Sequence, residues 1–201
     1  DWITGLLLTA ILLLGGYLRF AGQNWDDLTY LHPDERFLTG VVSEIGNVPL
    51  ANDSTRAAQV QECMQRYPAT NGVGGYFDAE CSNLYPPNIG HGLWVYGEFP
   101  LFIVHYAAQA YASLTNNPVW TQYGAIHFIG RAISATADTL SILFVFLIGR
   151  RLYRASYGRW IGLLGALLYA VAVLPIQLSH FWTMDAFSNL PTVIAFYFAV
   201  R

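Results

Sequence analysis

The sequence predicts an all-α protein that crosses a membrane several times, and three observations carry that expectation. Apolar residues fill 54% of the 201 positions and charged residues only 11%, less than half of the roughly 25% usual in soluble domains. Several apolar runs approach the roughly 20 residues that a helix needs to cross the hydrocarbon core. The charges are also sorted: 10 of the 13 acidic residues fall within 21–124, whereas four of the 10 basic residues, all arginine, fall within 150–159.

The first span is expected over residues 1–20, centred on LLLTAILLLGG. It lacks the basic leader and small-x-small site of a cleaved signal peptide, so a retained helix is expected. A large first loop, 21–124, follows. Spans are expected at 125–152 and 160–181, with an external turn and a fourth helix over 182–201. Arg150, Arg151, Arg154 and Arg159 in and beside the connection 153–159 mark a cytoplasmic loop, which places the first loop outside and Arg201 inside. The chain begins at Asp1 rather than Met and ends at Arg201 after an apolar run, so a segment of a longer protein is expected.

Within the first loop, LHPDERFLTGVVSEI predicts a short helix near 33–46. Pro33 suits a first helical turn, and Asp34 and Glu35 complement the positive end of the helix dipole. Phe37, Leu38, Val41, Val42 and Ile45 recur at helical spacing and form an apolar face. The product is an amphipathic helix on the membrane surface with two carboxylates at its leading end. Dipole stabilisation alone explains such acids; the other explanation is a site facing a lipid-borne head group. A second stretch, FPLFIVHYAAQAYASL over 99–114, is short for a span and carries His105 and Gln109. An interfacial helix is expected there; a full span would put the arginine loop outside.

Cys63 and Cys81 are the only cysteines. An even pair in an exported loop favours a structural disulfide, with two free thiols as the alternative. Arg131 and Asp138 lie seven residues apart in the second span, on roughly one face. Intramembrane charges need partners: a mutual or cross-helix ion pair, or contact between Arg131 and a substrate phosphate.

The HPDE element after a first membrane helix resembles the GT-C class of polyprenyl-phosphate-sugar glycosyltransferases, most of all family 39, the relatives of protein O-mannosyltransferases and aminoarabinose transferases. YGEFPLFIVHYAAQAY is similar to the second juxtamembrane helix of that class, GRAISATADTLSILFVFLIGRRLY to the next membrane helix, and LPIQLSHFWTMDAF to the next external turn. Glu98 stands where some relatives carry a lysine.

The resemblance implies a GT-C-like bundle whose large extracytoplasmic first loop carries juxtamembrane helices, in a bacterial cytoplasmic membrane. It implies inverting transfer of a sugar from a polyprenyl-phosphate donor to an acceptor hydroxyl on a protein, lipid or glycan. By motif match Asp34 is the expected base, with Glu35 second. His32, His180, Asp185 and Arg131 are expected around the substrates. A divalent metal on Asp34, Asp185 and a histidine is chemically feasible, but no metal or other cofactor is predicted. Membrane lipids are expected partners, with a membrane-complex subunit as a further candidate; nucleic acid is not expected. The competing reading is a non-catalytic accessory subunit with the same fold. A transporter fits less well, because the acids concentrate outside the bilayer rather than at its midplane.

Overall fold

A computed structural model describes residues 2–153 and 157–200. Arg154 and Arg201, both used in the charge reading, lie outside the described residues. The described chain is helical, with no strand: α1 Trp2–Phe20, α2 Pro33–Glu44, α3 Ala57–Arg66, α4 Glu98–Thr115, α5 Tyr123–Leu152, α6 Gly158–Ala170, α7 Val173–Ser179 and α8 Met184–Val200. Among these, α1 and α5 are long and apolar enough to cross a membrane, and α6 with α7 makes a third candidate if the bent pair is one span. α4 does not join them. α8 is apolar but has only 17 residues and carries Pro191.

The third expected span, 160–181, is two helices bent by 57°. Pro175 supplies the reason. A proline ring clashes with the carbonyl four residues earlier in a continuous helix, and here that residue is Val171, where α6 ends. The break frees carbonyls in an apolar setting, and Arg19 takes them up: its Nη1 donates to Ala170 O at 2.9 Å and its Nη2 to Tyr169 O at 3.3 Å.

The chain divides into two compact units, Asp1–Arg36 with His127–Arg201, and Phe37–Ile126. The first is a helical bundle. Lipid offers little hydrophobic drive between helices, so membrane bundles pack closely through small residues. That is the pattern here: a Cβ on Gly15 would stand 2.3 Å from Ile142 Cδ1, and one on Gly162 would stand 2.6 Å from the Phe146 carbonyl oxygen. Around these approaches Ile142, Phe146, Leu163, Ala166 and Ala170 form a buried cluster, with Leu8, Ile11 and Leu12 of α1 against it.

The second unit is a lobe stapled by the Cys63–Cys81 disulfide. Leu50 and Val60 pack with the two sulfurs. The apolar stripe of α2 is buried at Leu38, Val41 and Val42, with Ile45 just beyond, and that of α4 at Leu101, Val104 and Ala108. α3, absent from the sequence expectation, supplies Cys63 and ends in Arg66, whose guanidinium meets Glu62, Asp78 and Glu80.

Candidate functional site

Within the bundle unit, Arg131, Asp26 and Glu35 come together where α1 stops and α2 begins. Arg131 of α5 is fully buried and surrounded by acceptors. Its Nε and Nη2 donate to the two oxygens of Glu35 at 2.7 and 2.6 Å. Nη1 and Nη2 donate to Asp26 at 3.1 and 3.0 Å, and Nη1 also reaches Gln23 O at 2.5 Å. A guanidinium has five N–H donors in a planar fork, and these five bonds use all of them. Burial pushes the Asp26 carboxyl up, but the hydrogen bonds and charge of Arg131 together outweigh it and hold Asp26 below its ordinary value of 3.8.

Of the two roles that the sequence left open for Arg131, the structure has the cross-helix ion pair, and all five donors of its guanidinium are engaged. Arg131 does not pair with Asp138. Asp138 accepts from Arg19 Nε at 2.5 Å and from Tyr169 OH at 2.6 Å, and Asn189 Nδ2 donates to the same tyrosine oxygen at 2.7 Å. The bundle thus contains two separate buried arginine centres.

Glu35 has both oxygens on Arg131, and one also accepts the backbone N–H of Trp182 at 2.8 Å. Its side chain is fully buried. Glu35, expected as the second catalytic candidate, is thus engaged in locking the start of α2 to α5 and to the turn before α8. Trp182 is seated by Gly130, where an added Cβ would stand 2.3 Å from its Cγ. The loop between α1 and α2 is itself constrained. Leu28 and Tyr30 have φ of +65° and +50°, a region costing non-glycine residues on the order of 1–2 kcal/mol. The buried Tyr30 ring lies edge-on to His127, 4.9 Å between centroids.

Asp34 differs from its neighbour. It is half-buried, and its carboxylate makes no hydrogen bond or ion pair among the described residues. His32, also half-buried, stacks on Phe181 at 4.6 Å, and its Nδ1 has no partner among the described residues. Phe181 also meets Trp25 edge-on at 5.3 Å. Hence the start of α2 and the turn 179–185 are joined twice, through Glu35 with Trp182 and through His32 with Phe181.

The other expected residues sit within that turn. His180 presents Nδ1 to Ile176 O at 2.7 Å and Nε2 to Ala21 O at 2.8 Å. Both nitrogens face backbone carbonyls, and the ring lines a cavity of about 250 Å³ with Trp25, Gln177 and Phe181. Asp185 is exposed, accepts from Thr183 Oγ1 at 2.8 Å, and lines a second cavity of about 300 Å³ with Asp138, Tyr169 and Asn189. No group of three or more His, Cys, Asp or Glu able to hold a metal stands together among the described residues.

Sequence reasoning missed Asp26, Trp182 and the Arg19–Asp138–Tyr169–Asn189 network. Arg19 carried a usable signal: a charge at the end of an apolar span, like Asp138 inside another, needs an opposite partner. Asp26 and Trp182 carried none, since an acid in an acidic loop and an aromatic at a membrane interface are both ordinary. No protein-family model matches this chain, and no curated protein or solved structure matches it.

Proposed function

We propose that the chain carries the base-bearing part of a glycosyltransferase that moves a sugar from a polyprenyl phosphate to an acceptor hydroxyl on the extracytoplasmic side of a membrane. One observation carries this reading. Of two adjacent carboxylates at the start of α2, Glu35 is fully committed to the scaffold and Asp34 is uncommitted. A positioned general base needs both a rigid mount and free lone pairs, and this pair divides the two requirements. The resemblance of the HPDE element to GT-C enzymes supplies the reaction.

In the proposed step Asp34 takes the proton of the acceptor hydroxyl. The oxygen lone pair forms the new bond to the anomeric carbon, and the bond from that carbon to the phosphate oxygen breaks with inversion. The electron pair leaves on the polyprenyl phosphate. Asp185, exposed in the turn that Glu35 and His32 tie to α2, is the second carboxylate available to sugar hydroxyls. Donors for the leaving phosphate are not assigned to Arg131, whose fork is full.

Transfer from a polyprenyl-phosphate sugar by the full protein in detergent tests the reading. Asp34→Asn is expected to lower turnover by roughly 10²–10⁴-fold, the usual contribution of a positioned base, with the fold retained. Unchanged turnover would remove Asp34 from the mechanism.

A further inference from the structure

The cavity of about 300 Å³ in the bundle unit has polar lining from Asp138, Tyr169, Asp185 and Asn189 and apolar lining from Leu174 and Leu178 of α7. Its hydrogen bonds run in one direction. Tyr169 OH donates to Asp138 Oδ1 at 2.6 Å, so the phenol oxygen is left to accept, and Asn189 Nδ2 donates to it at 2.7 Å. The same amide nitrogen reaches Ser141 Oγ at 3.4 Å. The tyrosine thereby decides which way the Asn189 amide is turned. Its Oδ1 is the free end and accepts no hydrogen bond among the described residues. Asp185 adds a second free acceptor, because Thr183 Oγ1 donates to Oδ2 alone.

The side-chain donors of this lining are thus spent inside the network, and the free valences are acceptors. A ligand that fits must donate. Asp138 has its charge met by Arg19, and the Asp185 carboxylate is exposed, so no buried, uncompensated charge calls for a cation. A hydrocarbon tail would cover Asn189 Oδ1 without giving it a donor, which burial penalises. The hydroxyls of a sugar satisfy both free oxygens, and the C–H surface of its ring suits Leu174 and Leu178. The volume lies at the low end of the roughly 300–1,000 Å³ usual for small-molecule pockets, enough for a single ring.

The wall formed by α7 selects the source of that sugar. α6 and α7 together make a candidate span, and Val173 and Leu174 of α7 are exposed apolar residues. A sugar that reaches such a wall is one carried by a lipid. We propose that this cavity binds the sugar ring of the lipid-linked donor, with Asn189 Oδ1 and Asp185 Oδ1 accepting from its hydroxyls and the Asp138–Tyr169 pair holding the Asn189 amide in place. The assignment rests on the glycosyltransferase reading and adds to it the residues that select the donor's sugar.

The full protein, in a detergent without sugar head groups, is titrated calorimetrically with polyprenyl phosphate, with its glucosyl, mannosyl and galactosyl derivatives, and with a long-chain alkylamine. At least one glycolipid is expected to bind roughly 10-fold tighter than bare polyprenyl phosphate, the weight of two ordinary hydrogen bonds. Asn189→Leu should reduce that preference about 5-fold, the weight of one such bond, and leave the affinity for bare polyprenyl phosphate unchanged. Leu174→Trp narrows the cavity without touching the polar network; it should reduce the preference as well, and it decides the matter should Asn189→Leu fail to fold. Binding is read without turnover, so the two readings fail separately: a preference that falls with Asn189 while Asp34→Asn still transfers sugar would remove the base and leave the cavity assignment standing. Equal binding of bare polyprenyl phosphate and every glycolipid, an undiminished preference in folded Asn189→Leu or in Leu174→Trp, or tighter binding of the alkylamine than of any glycolipid would each overturn the assignment.

Discussion

Arg131 and Arg66 each meet more than one carboxylate, yet they hold their units in different ways. Arg131 is fully buried, and each of its two carboxylate partners lies in a segment remote in sequence. Arg66 is exposed, as are its partners Glu62 and Glu80, while its third partner Asp78 is half-buried in the lobe around the disulfide. In the bundle, polar side chains fix the geometry because apolar surface gains little from leaving lipid. In the lobe, a disulfide and an apolar interior do that work, and exposed ion pairs add on the order of 0–1 kcal/mol each. The candidate site belongs to the first kind of construction, so its rigidity rests on one guanidinium.

Removing that guanidinium is the strongest way to break the contrast. Arg131→Met should destabilise the protein by about 3–5 kcal/mol, the usual result of leaving buried carboxylates without their partner. A detergent thermal melt reads this, and a loss below about 1 kcal/mol would mean that the cluster is not the mount. The double variant Cys63→Ser with Cys81→Ser should remove about 3 kcal/mol, the loop-closure term expected for a separation of 18 residues. Proteolysis should then cut first within 51–90, with cleavage of α1 and α5 unchanged; equal loss of protection across the chain would contradict the separation into two units.

A smaller effect distinguishes the units by pH. Burial holds His105 of α4 below its ordinary value of 6.5. A histidine kept neutral in the folded state stabilises the lobe fully above pH 6.5, and this contribution falls as acid is added through the lowered folded value. Protection factors in α4, which take out the intrinsic fall of amide exchange with pH, should therefore decrease between pH 7 and 5, and His105→Gln should flatten that dependence. An unchanged slope in the variant would assign the effect to another group.

Much of the helical layout was legible because it depends on local sequence. Apolar run length marked α1 and α5, and the period after Pro33 marked α2. The break between α6 and α7 was also written locally, at Pro175, but the apolar run across it masked the proline. The site was legible only in part. Asp34 and Glu35 stand side by side in one motif and look alike, and only tertiary contacts separate them: Glu35 meets Arg131 at a sequence distance of 96 and Trp182 at 147. Pairings of that range leave no periodicity to detect. The seven-residue spacing of Arg131 and Asp138 left open a mutual pair or cross-helix pairs, and the second holds: Asp138 meets Arg19, and Arg131 meets Glu35 and Asp26.

The division of labour within this acid pair is the centre of the account, and melting curves of Asp34→Asn and Glu35→Gln, measured side by side with sugar transfer, test it most directly. Asp34→Asn should melt like the wild type and lose transfer. Glu35→Gln should melt well below both, because Arg131 and the Trp182 N–H lose their charged acceptor. Equal melting of the two variants, or full transfer by Asp34→Asn, would contradict it.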